Sequence, residues 1–441
     1  MGGGAGSSGD GLRGSPVEGT VAPSAGGETR LKQLTGGSVN AFAGVLMAFV
    51  ALQMLGVALI PVVTPYLRDR FSVSDAQVGL LAATFTLAVA LAAIPMGLAS
   101  SRWGGRTLFL AAALFLAGSL ILAAAGSFGW LLAGRFVQGL GAGAGIPVGT
   151  ALITSRVAPA WRRRAFGLFG AGTGLGTVVT LLVMPGLAQA GGYRLAFVAA
   201  ALVGAALLVA VATQRVLRSR PLHVETPDLR ILARALGAAA RSGRVLLVVA
   251  MNFTSLGAVI GIITWTPQFL HDQYGAAAAT AAYLSATIGV AQIVGNPLGA
   301  LVMARWEKFR MFLWCLVVTA IVTVLVPAGF SMAAALAAVL VAILLTAAVF
   351  PATLAMVGDV ASTAESLGAT AGLIGLANLV GSMLAPWAFG VLLDTFGTAP
   401  GDAGYVAGYA MLACFALAGA AAAAAYLFVR GRGGSAAVAI R

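Results

Sequence analysis

The residues of this sequence that could bind a ligand are uncharged amides, a hydroxyl and one arginine, all set within long apolar runs. Arg135 and Gln138 are spaced so that a helix would place them on one face. The other polar side chains that we single out inside such runs are Gln53, Asn252, Thr264, Gln292, Asn296 and Asn378. Groups of this kind bind small molecules through hydrogen bonds. We therefore expect these residues, together with Arg135 and Gln138, to form a solute-binding site.

Arg135 allows two interpretations. An arginine near the centre of an apolar membrane segment costs about 2.5–3.5 kcal/mol on insertion scales, so it needs polar surroundings. It would either contact an anionic or polar solute, or tune proton movement, or act as a structural hub that donates to main-chain carbonyls and to Gln138. Both the functional and the structural interpretation stay open at this point.

Reaction chemistry has little support in the sequence. It contains no nucleophile-elbow motif, no phosphate-binding loop of the Walker type and no cluster of metal ligands. The two histidines, His223 and His271, are far apart, and Cys315 and Cys414 lie in separate apolar runs. We expect no enzyme activity, no cofactor and no metal site.

The acidic residues lie outside the apolar runs or at their edges. A cationic solute would need a negative site within the membrane, so we expect a neutral or anionic solute. If protons are coupled, the edge residues Asp69, His271, Asp272 and Glu365 would have to serve, although each also fits a solvated loop residue.

The elements that must position these residues are membrane-spanning helices. Of the 441 residues, 60% are hydrophobic and only 9% are charged, whereas a soluble domain carries about 25% charged residues. Runs of roughly 20 uncharged apolar residues favour helices, because main-chain polar groups in hydrocarbon must be paired within the segment. The predicted spans are 41–67, 78–98, 107–125, 129–154, 165–190, 194–213, 245–270, 277–303, 310–330, 332–356, 366–391 and 404–429.

The spans divide into two halves of six. We expect a disordered tail over 1–38, a first half over 39–213, a central loop over 214–244, a second half over 245–430 and a short tail over 431–441. The fold class is thus an all-α integral membrane protein, with twelve transmembrane helices in two pseudo-repeat halves around a central cavity.

The distribution of basic residues predicts the orientation. Lysine and arginine concentrate in the segments on the side of both tails, whereas the other side carries only Arg68, Arg70 and Arg194. Positively charged loops remain in the cytoplasm, so both termini are predicted to be cytoplasmic, in the inner membrane. The formal charge of +13 then reflects loops that face anionic lipid, and no nucleic-acid partner is expected.

An internal repeat links the two halves. The segment TPYLRDRF begins at Thr64 and TPQFLHDQY begins at Thr266. The spacing from Asp69 to Arg102 equals the spacing from Asp272 to Arg305. Internal repeats with a solute site between the repeats at mid-membrane are typical of secondary transporters.

These residues resemble the major facilitator superfamily over about residues 41 to 430. The turn GLASSRWGGR from Gly97 to Arg106 is similar to the family signature G-x-x-x-D-R-x-G-R-R. The segment RFVQGLG from Arg135 is similar to R-x-x-Q-G-x-G, and PAWRRR from Pro159 also fits. The resemblance implies a pathway between spans one, four, seven and ten, and a latch on the cytoplasmic side. The expected gating residues are Gly97, Arg102, Gly104, Arg106 and Arg305.

Departures from the family pattern bear on this latch. The signature aspartate is replaced by Ser101, and the second half has Ala304 and Glu307 at the corresponding positions. Arg102 and Arg106 must therefore find other partners, such as carbonyls at helix C-termini, which favour cations. The glycine-rich segment from Gly167 to Gly176 resembles the signature of the nitrate and nitrite porter branch. However, the arginines that this branch has in spans two and eight are missing here. Close helix packing is the alternative role for these glycines.

The resemblance implies a secondary active transporter, a monomer in the lipid bilayer, that moves a small solute by alternating access, with or without a coupling ion. The alternative is a transporter-like receptor or scaffold without transport activity. Substrate, direction and coupling are not specified by the sequence.

Overall fold

The computed structural model describes residues 1–2, 34–214, 229–328, 331–361 and 364–438. Within these ranges the regular secondary structure is helical, apart from an isolated bridge between Leu34 and Val157. Most of the predicted N-terminal tail, the first part of the central loop and the last three residues lie outside the described ranges. The predicted all-helical class is confirmed for the described part.

Six spans form the N-terminal half. Span four consists of two helices that meet around Gly143 and Ala144. Spans one to four are Gly37–Phe71, Asp75–Trp103, Arg106–Ala124 and Phe128–Arg156, and spans five and six both lie within Pro159–Thr213.

The 55-residue helix Pro159–Thr213 is two spans joined by a tight turn. Gly191 and Gly192 leave helical geometry, and Gly192 has a φ of 65°, which favours glycine. After the turn, the Tyr193 hydroxyl donates to the carbonyl of Ala125 at the end of span three, 3.0 Å away. In the described ranges, eleven helices are long and apolar enough to cross a membrane, and this one is long enough to cross twice, which gives the twelve predicted spans.

The C-terminal half repeats the arrangement. Span eight also consists of two helices, which meet at Ala286. Spans seven to twelve are Gly243–Tyr274, Ala278–Met303, Lys308–Leu325, Met332–Val360, Ala364–Phe396 and Gly404–Val438.

A short helix, Leu229–Arg241, lies in the segment that we expected to be a loop between the halves. In its sequence, LRILARALGAAAR, the leucines and arginines have the spacing that is typical of an amphipathic helix. It contacts spans seven and eleven. The helical spacing was present in the sequence, but the 13-residue segment is shorter than the apolar runs from which we predicted helices.

Spans one, two and seven extend further at both ends than hydropathy predicts. Span two begins with a capping box in which Ser74 and Gln77 satisfy each other's main-chain N–H groups. Asp69 and Asp272 therefore lie in the last turns of spans one and seven rather than in loops. Asp272 is half-buried and accepts hydrogen bonds, so it is not a solvated loop residue. Hydropathy alone misses such turns because they are polar yet helical.

We name the two ends of the helix bundle by the parts of the chain that lie there. The terminus face contains Leu34, the turn after span two and Arg430, and the opposite face contains the turns after spans one, seven and eleven. Span two packs on span eleven, and span five packs on span eight, and these two contacts join the halves.

The two halves are closely packed against each other on the side of the opposite face. A Cβ on Gly79 would lie 2.7 Å from the Pro386 carbonyl oxygen, and one on Gly174 would lie 2.8 Å from the carbonyl oxygen of Gly289. Only glycine permits such approach, and van der Waals packing of small residues drives helix association in lipid. The two halves are thus in close contact from mid-membrane to the opposite face.

Towards the terminus face, the faces of spans five and eleven that make these contacts are no longer packed against the other half. Gly167 and Gly170 share the helical face of Gly174, and Gly372 and Gly375 share the face of Pro386. No described atom lies within 4 Å of where a Cβ would stand on any of these four glycines. The halves therefore separate towards the terminus face.

Candidate functional site

A central cavity of about 150 Å³ lies between the two halves. Its walls come from spans one, two, four, five, seven, eight, ten and eleven. Among the described residues, no charged side chain lines it. The polar lining residues are Gln53, Thr86, Thr173, Gln292, Asn296, Thr346 and Ser382. The rest of the wall is aliphatic or aromatic, so the cavity fits a solute with a substantial apolar surface.

Three of the predicted site residues lie at this cavity. Gln53 faces it from span one, and Gln292 and Asn296 face it from span eight. The last two residues are one helical turn apart, so they present amides along one stripe of span eight. The structure thus brings these three amides together across the interface between the halves.

Asn252 and Asn378 lie in a smaller side pocket of about 30 Å³ within the C-terminal half. This pocket shares Thr346 and Phe350 with the central cavity, so the two spaces adjoin. The polar residues that line the side pocket are Asn252, Ser255, Thr346, Thr353 and Asn378. A space of this size holds about one or two water molecules or a small polar group.

Arg135 lies behind the cavity wall rather than in it. It is fully buried, and its guanidinium carbon stands 4.3 Å from the ring centroid of Phe85, which itself lines the cavity. The guanidinium donates to the main-chain oxygens of Gly56 on span one, at 3.0 Å, and Leu81 on span two, at 3.2 Å. One of its terminal nitrogens, Nη2, has no hydrogen-bond partner in the described part of the chain. Arg135 therefore joins spans one, two and four.

Gln138 completes this buried cluster. Its Oε1 accepts from Arg135 at 2.7 Å, and its Nε2 donates to the Ser119 hydroxyl on span three at 2.9 Å. A Cβ on Gly118 would collide with the main chain of Gln138, so span three can approach only because residue 118 is glycine. The cluster fixes the packing of four helices and the position of Phe85.

Thr264 lies away from these spaces. It is buried in span seven, and its hydroxyl donates to the carbonyl of Ile260 at 2.7 Å. It does not line the central cavity, the side pocket or the cavity at the opposite face.

A polar network closes the opposite face, and the sequence reasoning did not find it. Asp394 of span eleven accepts from the main-chain N–H groups of Asp75 and Ala76, both at 2.8 Å. The Asp75 carboxylate forms an ion pair with Arg68 of span one and accepts from Gln268 Nε2 of span seven at 2.9 Å. These contacts join the halves where the cavity ends. The first turn of span two, with its capping box and its acidic residue, was the available signal.

The network continues within the C-terminal half. Gln268 also donates to Asp272 at 3.2 Å, and the Tyr405 hydroxyl of span twelve donates to the same carboxylate at 2.6 Å. A polar cavity of about 230 Å³ borders it, lined by Thr64, Arg68, Asp69, Gln268, His271 and neighbouring prolines and an alanine. Asp69 and His271, predicted as edge residues, thus face a common space at the opposite face.

The expected gating residues lie at the terminus face. Gly104 ends span two with a φ of 57°, which explains glycine at this position, and its N–H donates to the carbonyl of Ser100. A Cβ on Gly97 would meet Pro147 of span four at 3.5 Å, an ordinary contact. The side chains of Arg102, Arg106 and Arg305 are exposed and form no ion pair or hydrogen bond with the described parts of the chain.

Comparison with known proteins identifies the family. The profile of the Major Facilitator Superfamily matches residues 42–308 and 268–439. The chain belongs to this superfamily. Its fold, with two six-helix halves around a cavity, and its membership both confirm the expectation from the sequence. The chain is a membrane transporter rather than an enzyme.

Relatives within the superfamily differ in what they transport. A probable nitrate/nitrite transporter, NarK2 of Mycobacterium tuberculosis, is 28% identical over 369 residues, which cover 81% of this chain and 88% of that protein. A chloramphenicol efflux pump of the same species is 28% identical over 286 residues, covering 64% and 66%. A hexuronate transporter of Bacillus subtilis is 24% identical and covers 52% and 57%.

Solved structures share the fold. A bacterial homolog of the human lysosomal transporter Spinster, in an inward-facing and unoccupied conformation, gives a TM-score of 0.68 at 19% identity, covering 89% of this chain and 97% of that one. A peptide transporter of the POT family in complex with sulfate gives 0.72 at 14% identity, covering 91% and 97%.

Proposed function

We propose that this chain is a secondary transporter of a neutral, partly apolar small solute, which it moves by alternating access. The observation that carries the proposal is the central cavity, whose lining in the described part of the chain consists of amides, hydroxyls and apolar side chains without a charged residue. Gln53, Gln292 and Asn296 are the proposed solute contacts, with Asn252 and Asn378 in the adjoining side pocket.

An anionic solute is less well supported than a neutral one. Arg135, a mid-span residue that would attract an anion, is covered by Phe85, and its Nε and Nη1 donate to Leu81, Gly56 and Gln138. An anion in a low-dielectric cavity needs a positive charge or several donors to offset its lost hydration. Likeness to a nitrate/nitrite transporter therefore does not carry nitrate over to this chain.

A cationic solute is opposed by the same arginine. The guanidinium lies one aromatic ring away from the cavity, and none of the described residues that line the cavity has a carboxylate to balance a second positive charge. Like charges at such separation in low dielectric repel strongly.

We assign Arg135 and Gln138 the role of holding Phe85 and three neighbouring helices, and Thr264 a packing role.

The described state supports an alternating-access cycle. The halves are in contact at the opposite face and separate at the terminus face, so the cavity communicates with the terminus face. With both termini in the cytoplasm, as the basic loops predict, this state is inward-facing. We place the chain in the inner membrane as a monomer, with Gly97, Arg102, Gly104, Arg106 and Arg305 at the face that closes in the other state.

Counterflow in proteoliposomes tests this proposal. Vesicles containing the purified protein are loaded with unlabelled chloramphenicol, nitrate or glucuronate, and uptake of the same labelled compound is followed. Chloramphenicol is the neutral probe, and nitrate and glucuronate are the anions that match the other relatives. We expect counterflow with the neutral probe only.

Other outcomes separate the alternatives. Counterflow of an anion and not of the neutral probe would overturn the proposed charge preference. Binding without counterflow, measured as a shift in melting temperature in the same preparation, would favour a receptor or scaffold over a transporter.

A further inference from the structure

The hydroxyl groups around the central cavity and the side pocket all use their proton within their own helix. Each donates to a main-chain carbonyl three or four residues earlier, which is common for serine and threonine in membrane helices. The bonds are Thr86 to Ala82 at 3.2 Å, Thr173 to Gly170 at 2.9 Å, Ser255 to Asn252 at 3.3 Å, Thr346 to Ala342 at 2.8 Å, Thr353 to Phe350 at 2.7 Å and Ser382 to Leu379 at 2.9 Å.

This pattern fixes what the hydroxyls offer to a solute. A hydroxyl has one proton and two lone pairs, so once the proton is used only acceptor capacity remains. The oxygen atoms of these six side chains therefore act as acceptors towards the two spaces. They can bind a donor but cannot donate to an acceptor without breaking a bond to the helix.

Two amide oxygens add to this acceptor surface. Asn252 is fully buried and lines the side pocket, and its Nδ2 donates to the Val248 carbonyl at 2.8 Å. A carbonyl can only accept, so this bond fixes which end of the amide is oxygen. The Asn252 Oδ1 has no partner among the described residues.

Gln292 shows the same deficit in the central cavity. It is 9% exposed, and its Oε1 has no hydrogen-bond partner among the described residues. A buried acceptor without a donor costs about 1–3 kcal/mol. Two such acceptors, in adjoining spaces of one half, need donors that the described part of the chain does not supply.

We infer that the C-terminal half recognises the solute through N–H or O–H donors of the solute itself, bound by the acceptor oxygens of Asn252 and Gln292. The side pocket, at about 30 Å³, accepts one small donor group such as a hydroxyl or an amide N–H. The apolar part of the solute lies in the central cavity against Phe85. This inference rests on the proposed function, because it takes the solute to be neutral.

The charge environment favours a neutral donor over a sodium ion as the occupant. Every side-chain oxygen that lines the side pocket in the described part of the chain belongs to an uncharged group, so none offers a negative charge to offset the lost hydration of a sodium ion. A neutral N–H or O–H satisfies Asn252 Oδ1 without that cost.

Matched neutral probes test the inference. Acetanilide carries one N–H, and N-methylacetanilide has the same apolar ring and no N–H. Binding to the full-length protein in detergent is measured by calorimetry and by the shift in melting temperature. We expect acetanilide to bind on the order of tenfold more tightly than its methylated partner, since one buried hydrogen bond is at stake.

Variants locate the effect. Asn252→Leu should abolish the preference for acetanilide and leave N-methylacetanilide unchanged. Thr346→Val, which keeps the side-chain volume and removes an acceptor, should reduce the preference and serves if Asn252→Leu fails to fold. Asn40→Leu, the same substitution at an exposed asparagine of span one, is the matched control and should keep the preference.

Each other outcome decides against the inference. Equal binding of the two probes would overturn it and leave the proposed neutral transport intact. Stabilisation by sodium that is lost in Asn252→Leu would assign the pocket to a cation instead. Binding of nitrate or glucuronate, with no neutral probe bound at its solubility limit, would overturn the proposed function together with this inference.

Discussion

Asp394 accepts a hydrogen bond of 2.8 Å from the main-chain N–H of Asp75. Asp75 is the first residue of span two, so the Asp394 carboxylate caps the N-terminus of that helix. The contact also includes the N–H of Ala76. The first N–H groups of a helix have no partner within it and carry partial positive charge, so a carboxylate is favoured there. Asp75 tolerates the neighbouring carboxylate because Arg68 and Gln268 bind its own side chain.

This contact joins the two halves at the face where they are closed. Asp394 belongs to the C-terminal half and Asp75 to the N-terminal half, and the packed glycines Gly79 and Gly390 flank it. In the proposed alternating-access cycle, opening the opposite face requires that Asp394 leave the helix end. The free energy of this contact would therefore bias the equilibrium between the two proposed states.

Asp394→Asn should shift the equilibrium towards opening of the opposite face. The amide has no charge and can accept at one oxygen only, so we expect a loss of about 1–2 kcal/mol and a roughly five- to thirtyfold shift in the ratio of the states. The reporter is Thr173→Cys, a cavity residue, in a background with Cys315 and Cys414 replaced by alanine. Its labelling by an impermeant maleimide from the opposite face should increase.

Asp402→Asn provides the control for this prediction. Asp402 also caps main-chain N–H with its carboxylate, but it does so for Ala399, within its own half. The control should not change labelling of the reporter. Equal labelling in both variants would contradict a role of Asp394 in holding the halves together.

Two glycines should shift the same equilibrium in opposite directions. A Cβ at position 79 would lie 2.7 Å from the Pro386 carbonyl oxygen and from the Trp387 Cα. Gly79→Val should therefore push the halves apart there and favour opening of the opposite face. Gly170→Val meets no described atom within 4 Å here, but it adds volume to the surface that must pack when the terminus face closes. The Thr173→Cys reporter should be labelled more from the opposite face in the first variant and less in the second. Shifts of the same sign would refute the assignment of these surfaces to different states.

Arg135→Lys should destabilise the fold and spare solute binding. Lysine cannot reproduce the guanidinium's separate bonds to Gly56, Leu81 and Gln138, and hydrogen bonds to a charged group are worth about 1.5–3 kcal/mol each at most. We expect a lower melting temperature, while the stabilisation produced by a bound neutral probe remains. Loss of probe binding in a folded variant would instead support direct contact between Arg135 and the solute.

Much of the fold was predictable because lipid leaves few options. Runs of apolar residues must be helices, and the predicted start of span twelve at residue 404 matches the observed Gly404–Val438. The repeat of Asp69 and Asp272 correctly indicated two related halves. The turn at Gly191–Gly192 falls between the predicted spans 165–190 and 194–213, because a break must separate two spans of ordinary length.

The rotation of each helix was not predictable, and this limits what the sequence says about the site. In lipid both the outer and the packed faces of a helix are apolar, so hydropathy does not reveal which face is buried. Arg135 and Gln53 are both polar residues inside spans, yet one lies behind Phe85 and the other lines the cavity. The pairing of Asp75 with Asp394 joins residues 319 positions apart, and no local pattern encodes it.

The assignment of the terminus face to the cytoplasm predicts a difference between two exposed arginines. Arg70 lies at the end of span one and Arg163 near the start of span five, and these positions are on opposite faces of the bundle. In the cysteine-free background, Arg70→Cys should react with an impermeant maleimide on intact cells. Arg163→Cys should react only after the cells are permeabilised, because the basic segments on its face remain inside. Reaction of both cysteines on intact cells would contradict the twelve-span arrangement, whereas reaction of Arg163→Cys alone would reverse the orientation and make the described state outward-facing.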